Sequence, residues 1–525
     1  MAAPAERRAE KRVPRCIKCR VADAAALVNQ TEALCAACLR GALLGKFKSA
    51  VNGGKLVAKD DHVLLAFSGG AASRCALDFL LAIQSPLLHS QGAAPLGAQG
   101  AAARGRIPFR LSVAYVDERV AVGNDLLPRG TADGLASELR DIVRDAVAAH
   151  RGARDCSGGD CGEGGGRGAA REAGMGAERG GANDVAFHVV RLESALADGE
   201  GAPMEGDGGE GESRAEGLAA RLEAVVGGAA EATGREDVVA TLRMDALMLL
   251  AQRVQCSKVV VGSTATRLAA HVIAATAKAQ GYALPADLAV WDARRGVPVV
   301  RPLRDCSLRD LALLAHLSRL RTASLATRAS LRGGAGGGAA GGAGSINALA
   351  ASFLEGMQRE SSGRQFTVTR TALKLQPFPF NLPPSLALPS PTAADNPPSP
   401  LCAICLAPLP PPALAPPPPP DPPASAVTSP AAAPAPPLHP PTTPLCCSCR
   451  WGVVGAGGRV GARAGEGGAE TARENGEGGR GKAEEGGKVA GAGRAGGVAG
   501  LPEAFLARGR AGSASYAHWL RQCER

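Results

Sequence analysis

The apolar run Val63-Leu64-Leu65-Ala66-Phe67 stops at Ser68-Gly69-Gly70, and apolar residues then return at helical spacing over 73–83, which reads as strand, glycine turn, helix. A second unit follows, with the run Leu111-Ser112-Val113-Ala114-Tyr115-Val116 ending at Asp117-Glu118 before a helix over 132–150. The same alternation continues with a strand over 185–192, a helix over 237–254, a strand over 258–262 and a helix over 265–280. A final strand is predicted over 298–303, and an amphipathic helix over 308–320 carries Leu311, Leu314 and Leu317 on one side. The segment 345–375 is partly helical. Strand and helix in turn predict an α/β fold with a parallel sheet, whose strands are apolar throughout because both faces are covered.

Composition supports this and limits it. Aromatic residues make up 3% of the chain, so the core is built from Ala, Val and Leu, while 69 Gly and 38 Pro gathered in runs leave much of the chain unable to bury a core. The predicted organisation is a basic arm and first cysteine module over 1–50, the α/β domain over 51–320 and a Gly/Ala linker over 321–344. A helical segment over 345–376 follows, then a Pro-rich segment with a second cysteine module over 377–454, a tract without structure over 455–500 and a tail over 501–525. Within the domain, 151–184 and 198–217 are rich in Gly, Glu and Arg without hydrophobic period and are expected to be disordered insertions.

The formal charge of +10 and a pI near 9.0 favour a polyanionic partner. The N-terminal arm gathers that charge, with Arg7, Arg8, Lys11 and Arg12 as candidate contacts; a solvated basic tail is the alternative. No apolar stretch reaches the roughly 18 residues that span a bilayer. No apolar core follows the N-terminal charges, and Glu6 and Glu10 interrupt what would otherwise resemble a transit peptide, so no membrane is expected and the cytosol is the predicted compartment.

Eight of the 15 cysteines fall in Cys-x-x-Cys pairs, which in a reducing compartment points to metal rather than disulfides. Cys16 and Cys19 with Cys35 and Cys38 have the separation of a zinc ribbon or treble clef, and Cys402 and Cys405 with Cys446 and Cys449 form a second set across a Pro-rich loop. Loop-closure entropy grows only logarithmically with length, so the long loop does not forbid the set. Four thiolates suit structural zinc and leave no open coordination position; an iron–sulfur cluster is the alternative.

A strand, Ser68-Gly69-Gly70-Ala71-Ala72-Ser73 and a helix have the geometry in which backbone N–H groups cradle a phosphate, although any tight β–α turn also uses Gly-Gly. The wider chain resembles the cytoplasmic tRNA 2-thiolation protein 2 family. The resemblance runs from Cys16-x-x-Cys19 through Ser68-Gly69-Gly70 and Leu242-Arg243-Met244-Asp245-Ala246-Leu247 to Cys256-Ser257-Lys258-Val259-Val260-Val261-Gly262-Ser263. It continues with Arg301-Pro302-Leu303-Arg304-Asp305, Ser345-Ile346-Asn347-Ala348-Leu349 and Arg370-Thr371-Ala372-Leu373-Lys374-Leu375, and closes with the second cysteine set.

The resemblance implies a Rossmann-like ATP-pyrophosphatase-type (PP-loop) domain flanked by zinc-ribbon-like modules. It also implies that active relatives carry S-G-G-x-D-S where this chain has Ala72 in place of the acid and Ala71 in place of a Lys common there. Where relatives have G-H-N-x-D-D, this chain has Gly262-Ser263-Thr264-Ala265-Thr266-Arg267, and where they have a Cys-x-x-Cys it has Val238-Val239-Ala240-Thr241. Ser68, Gly69, Gly70 and Ser73 then form a degenerate phosphate loop, with ATP binding in question and no catalytic residue. The implied role is that of a non-catalytic subunit, a heterodimer partner of a catalytic PP-loop subunit, in making 5-methoxycarbonylmethyl-2-thiouridine at the wobble position of tRNA Lys, Gln and Glu. A thiocarboxylated ubiquitin-related carrier supplies the sulfur, and Arg7, Arg8, Lys11 and Arg12 become tRNA-binding candidates. An ATP-dependent thiolase active by itself, and a zinc-dependent scaffold without a tRNA role, are the competing readings.

Overall fold

The N-terminal cysteines bracket a short antiparallel pair, β1 (Ala26–Val28) and β2 (Glu32–Leu34), after which Cys35 leads directly into α1 (Ala36–Gly53). The structure, a computed structural model, describes residues 14–28, 31–85, 106–122, 131–155, 185–197, 210–229, 231–323, 344–383, 400–410, 445–446 and 448–449. The expectations for Arg7, Arg8, Lys11 and Arg12, for 455–500 and for 501–525 lie outside these residues.

Strand β3 (His62–Ala66) leads through the glycine turn into α2 (Ala71–Ile83). A two-residue pair, β4 (Gln84–Ser85) and β5 (Ile107–Pro108), precedes β6 (Arg110–Asp117), the short α3 (Arg119–Val122) and the long α4 (Thr131–Asp155). Strand β7 (Ala186–Arg191) runs into a 3-10 turn at Leu192–Leu196, and α5 (Glu210–Gly228) and α6 (Ala232–Arg253) follow. Then come β8 (Lys258–Val260), α7 (Ala265–Ala277), α8 (Leu284–Leu288), β9 (Trp291–Asp292), β10 (Val299–Val300), α9 (Leu308–Leu317), α10 (Ile346–Glu360) and α11 (Arg364–Ala372).

The main sheet has the order β7-β6-β3-β8-β10-β9, parallel throughout except for β9 at the edge. From β3 the chain builds outward through β6 to β7, then returns to the other side of β3 to lay down β8 and β10. The reversal places a topological switch point between β3 and β8, at whose carboxyl end doubly wound sheets open a crevice.

Burial on both faces explains why the strands are apolar without alternation. Val63 and Leu65 enter the core formed with α1, α2, α4 and α9, whereas Leu64 enters the opposite core with α5 and α6. In the first core Phe47 of α1 meets Phe79 of α2 with ring centroids 5.4 Å apart, an aromatic contact in a chain with few aromatics. Helices α10 and α11 pack on α7, so the segment 345–376 lies against the α/β domain. Cys16 and Cys35 belong to the first core; Cys402, Cys446 and Cys449 belong to the second.

Three expectations are corrected. Helix α5 begins at Glu210, inside the stretch 198–217 expected to be disordered, because Ala215, Leu218, Leu222, Val225 and Val226 form a buried stripe at helical spacing that Gly217, Gly227, Gly228 and the acids obscure in the sequence. Helix α4 likewise runs to Asp155, so 151–155 continue it rather than opening an insertion. The strand expected over 298–303 is confined to Val299–Val300, since after it the chain turns at Pro302 and Leu303 toward α9, and the edge pairing with β9 is too short to show a period. Among the described residues no helix is long and apolar enough to cross a membrane.

One buried charge network fastens the sheet edge to the second cysteine module. Arg294 donates to Asp292 at 2.8 Å and to Asp287 at 2.7 Å, reaches the Leu406 carbonyl at 3.4 Å, and Asp292 also receives Arg301 at 3.3 Å. Burial alone would raise both carboxyls, but the Arg294 charge beside them holds Asp287 and Asp292 below the usual carboxylate range. Replacing Arg294 by Met should destabilise the protein by about 3 kcal/mol, because two carboxylates lose the cation they share and keep only Arg301 beside Asp292 and His271 beside Asp287; the denaturant midpoint measures it. Depressed carboxyls contribute stability above about pH 4, which is lost as pH falls through their folded values, so the variant should lose much of the wild-type acid dependence in that range.

Candidate functional site

Gly69 turns the chain out of β3 with φ +71°, and a Cβ there would lie 2.5 Å from Leu139 Cδ2 and 2.9 Å from Ala323 Cβ, so only glycine fits. Its carbonyl accepts from the Ala323 N–H at 3.0 Å. Gly70 then caps α2 in extended conformation with no side-chain cap, which leaves the first-turn N–H groups of α2 facing the carboxyl end of the sheet. The Ser73 hydroxyl donates to the Gly70 carbonyl at 3.0 Å and lies 3.4 Å from the Ser68 hydroxyl.

The second glycine loop comes up against the first. A Cβ on Gly262 would stand 3.4 Å from the Ser73 nitrogen and 3.6 Å from the Ala72 carbonyl carbon, so the loop after β8 touches the start of α2 through backbone alone. Thr264 caps α7 by accepting from the Arg267 N–H at 3.3 Å, and the Arg267 guanidinium reaches back to the Gly262 carbonyl at 3.5 Å. Ser68, Gly69, Gly70 and Ser73 are thus together at the switch point, as a backbone cradle with neither an acid nor a lysine in the first turn of either helix.

Acids do stand at the neighbouring strand end, but arginines occupy them. Asp117 accepts from Arg119 through backbone N–H at 3.1 Å and Nε at 2.6 Å, and Glu118 is held by both arms of the Arg243 guanidinium. The Glu118–Arg243 pair was not read from the sequence, although charges set in the otherwise apolar L-R-M-D-A-L string were a signal for it. Asp245 in the same string takes Arg295 at 2.5 Å. Where the resemblance leads one to expect a Cys-x-x-Cys, Val238 and Val239 are core residues and Thr241 donates to the Asp237 carbonyl at 2.9 Å. Cys256 is buried before β8, where burial pushes its thiol up to about 11, the behaviour of a core residue rather than a sulfur carrier.

Both cysteine sets close in space. In each, the four Sγ atoms lie within 4.8 Å of one another, with Cys19 and Cys35 3.9 Å apart and Cys405 and Cys446 3.7 Å apart. Sulfurs around a tetrahedral Zn with bonds of about 2.3 Å stand about 3.8 Å apart, so the donor sets fit the ion. Backbone N–H groups of Cys19 and Cys35 hold the Cys16 thiol down at about 6, while hydrogen bonding to Cys35 and burial push Cys38 up to about 12. Four thiols this close cannot all ionise without a cation among them.

The second set is also anchored to the domain. Gln280 donates toward Cys446 Sγ at 3.5 Å, the Cys449 N–H toward the same sulfur at 3.4 Å, and Arg295 toward the Cys405 carbonyl at 3.4 Å. Ser448 reaches Asp237, which Lys278 clamps at 2.8 Å and which shares Asn347 with Glu236.

No family model matches the chain. It is 34% identical over 371 residues to the cytoplasmic tRNA 2-thiolation protein 2 of Oryza sativa subsp. indica, covering 70% of this chain and 63% of the rice protein. The Arabidopsis thaliana protein of that name is 30% identical over 347 residues, 66% of this chain and 60% of its own length, and the Homo sapiens protein is 24% identical over 448 residues, 76% and 72%. The chain therefore spans less than two thirds of the length of the plant relatives it matches. Among solved structures, a U34-tRNA thiolase from Methanococcus maripaludis with its 4Fe-4S cluster aligns at 10% identity and a TM-score of 0.38, covering 69% of this chain and 87% of that one, too distant a likeness to add to what the topology says. Over 70% of its length the chain is a homologue of the plant and animal proteins named cytoplasmic tRNA 2-thiolation protein 2, in agreement with the resemblance carried by its motifs.

Proposed function

We propose that the chain is the non-catalytic subunit of cytoplasmic wobble-uridine 2-thiolation, working as a heterodimer with a catalytic PP-loop subunit on tRNA Lys, Gln and Glu. The observation that carries this reading is the state of the sheet's carboxyl end. Two backbone loops meet there in nucleotide-cradling geometry, the first turns of α2 and α7 hold no acid, and Asp117 and Glu118 are neutralised by Arg119 and Arg243. Activating a uridine carbonyl with ATP needs metal-binding acids and positioned cations around the phosphates, and the following step needs a sulfur nucleophile. Among the described residues the first turns of α2 and α7 hold no metal-binding acid, and Val238 to Thr241 carry no thiol. The catalytic subunit is therefore assigned the ATP chemistry and the sulfur accepted from the ubiquitin-related carrier, and this chain a share in tRNA binding.

The cysteine sets are assigned one structural zinc each. When bound, Zn supplies cross-linking rather than chemistry, since four thiolates leave no open position. Cys16, Cys19, Cys35 and Cys38 would hold the first ion against α1, and Cys402, Cys405, Cys446 and Cys449 the second against α6 and the loop after β9.

Purified alone and supplied with ATP and wobble-uridine tRNA, the chain should release no pyrophosphate above background, and release should begin when the catalytic subunit is added; turnover by the isolated chain overturns the assignment. In cells lacking the gene, nucleoside mass analysis should show 5-methoxycarbonylmethyl-2-thiouridine lost, restored by the wild-type gene but not by Cys405→Ser or Cys19→Ser. Unchanged thiolation in those cells would favour a scaffold without a tRNA role. Anaerobically purified protein should carry about one Zn per cysteine set, and metal near zero or an iron absorption band would refute zinc.

A further inference from the structure

The first cysteine module buries Val28, Ala33 and Leu34 but leaves three other apolar residues in water. Ile17, between the two ligands of the first pair, is 53% exposed, Val21 just after it 84% and Leu27 on β1 52%. The positions are held firmly. The Ile17 N–H donates to the Ala33 carbonyl at 2.9 Å, the Cys16 N–H to Ala22 at 2.9 Å and the Arg20 N–H to Cys16 at 2.8 Å, while Leu27 stands opposite Ala33 in the β1–β2 register. Ile17 and Leu27 therefore flank the same residue. A module this small has few apolar groups to stabilise it, and leaving three of them in water forgoes stabilisation unless a partner covers them.

The charges around them say what kind of partner fits. Arg15, Lys18 and Arg20 are exposed within the same short stretch, interleaved with Ile17 and Val21, and form no ion pair among the described residues, whereas Arg40 farther along is taken by Asp78 at 2.8 Å. The module's acids over 14–35 are Asp23 and Glu32. Unpaired cations alternating with exposed apolar side chains suit single-stranded RNA, whose phosphates meet the cations while unstacked bases lie on the apolar surface. An apolar protein partner would leave the three cations without counter-charge as the surface desolvates.

We propose that the knuckle formed by Arg15, Ile17, Lys18, Arg20, Val21 and Leu27 is a contact surface for a single-stranded segment of RNA. This rests on the tRNA reading above and gives it a location other than the phosphate loop.

The test titrates the full-length chain with a tRNA Lys transcript at several salt concentrations and measures metal content in the same samples. Lys18→Ala with Arg20→Ala should weaken binding roughly tenfold and lower the slope of log affinity against log salt by about 1.4, about 0.7 for each lost phosphate contact on a single strand. Ile17→Ser with Val21→Ser should also weaken binding several-fold but leave the slope unchanged, since no charge is removed. Wild-type affinity in both double variants overturns the proposal. So does unchanged tRNA affinity with loss of the catalytic subunit in a pull-down, which would make the surface a protein interface. Should the serine pair shed its metal, the Lys18 and Arg20 pair, exposed and not ligands, decides alone. A wild-type chain that binds no tRNA with or without the catalytic subunit sinks the tRNA reading itself, and this surface with it; wild-type binding that survives both double variants sinks the surface only.

Discussion

Two backbones pressed together at one end of a sheet set the terms for the whole molecule. Gly69 turns beneath Leu139 and Ala323 where a Cβ would collide, and the loop after β8 comes at Gly262 into van der Waals range of the Ala72 and Ser73 backbone at the start of α2. The parallel pairing of Val63, Leu64 and Leu65 with Lys258, Val259 and Val260 sets the spacing of β3 and β8, and both loops lie at the carboxyl end of that ladder, where α2 and α7 leave the sheet. The glycine turn at Gly69 is thus demanded by packing alone, whatever the loop binds. Backbone geometry and catalytic chemistry are separable for this reason: the first is enforced by packing, the second by side chains that packing does not require.

Charge is distributed accordingly. Carboxylates near the sheet's carboxyl end are matched with guanidinium groups, Asp117 with Arg119 and Glu118 with Arg243; Asp245 meets Arg295 of the β9–β10 hairpin, and the edge beyond β9 is fastened by Arg294 between Asp287 and Asp292. A carboxylate committed to a planar fork of donors is a poor metal ligand, so pairing converts positions that could serve an active site into fixed points of structure. The cysteine sets act in the same spirit. Each gathers distant segments into a core, and the second connects residues on either side of a long Pro-rich loop to α6, the loop after β9 and, through Asp237, to α10.

Apolar runs, glycine turns and Cys-x-x-Cys pairs were enough by themselves to determine the α/β class and the two four-cysteine sets, because each rests on local spacing: a strand buried on both faces is continuously apolar, and paired thiols two residues apart can share one ion; the family came instead from the likeness of whole motifs. That Ala72, Arg267 and Val238 to Thr241 stand where acids and thiols are expected followed from the resemblance, position by position, and not from spacing. Only the tertiary structure decided that 210–228 is a helix, since its apolar stripe is sparse and becomes stable only against α6 and the 3-10 turn. It alone paired Glu118 with Arg243 and Arg294 with Asp287 and Asp292, and brought Ile17 and Leu27 to opposite sides of Ala33. Such contacts join residues far apart in the chain or across a register, and no local period encodes which distant partner satisfies a buried charge or leaves an apolar side chain in water.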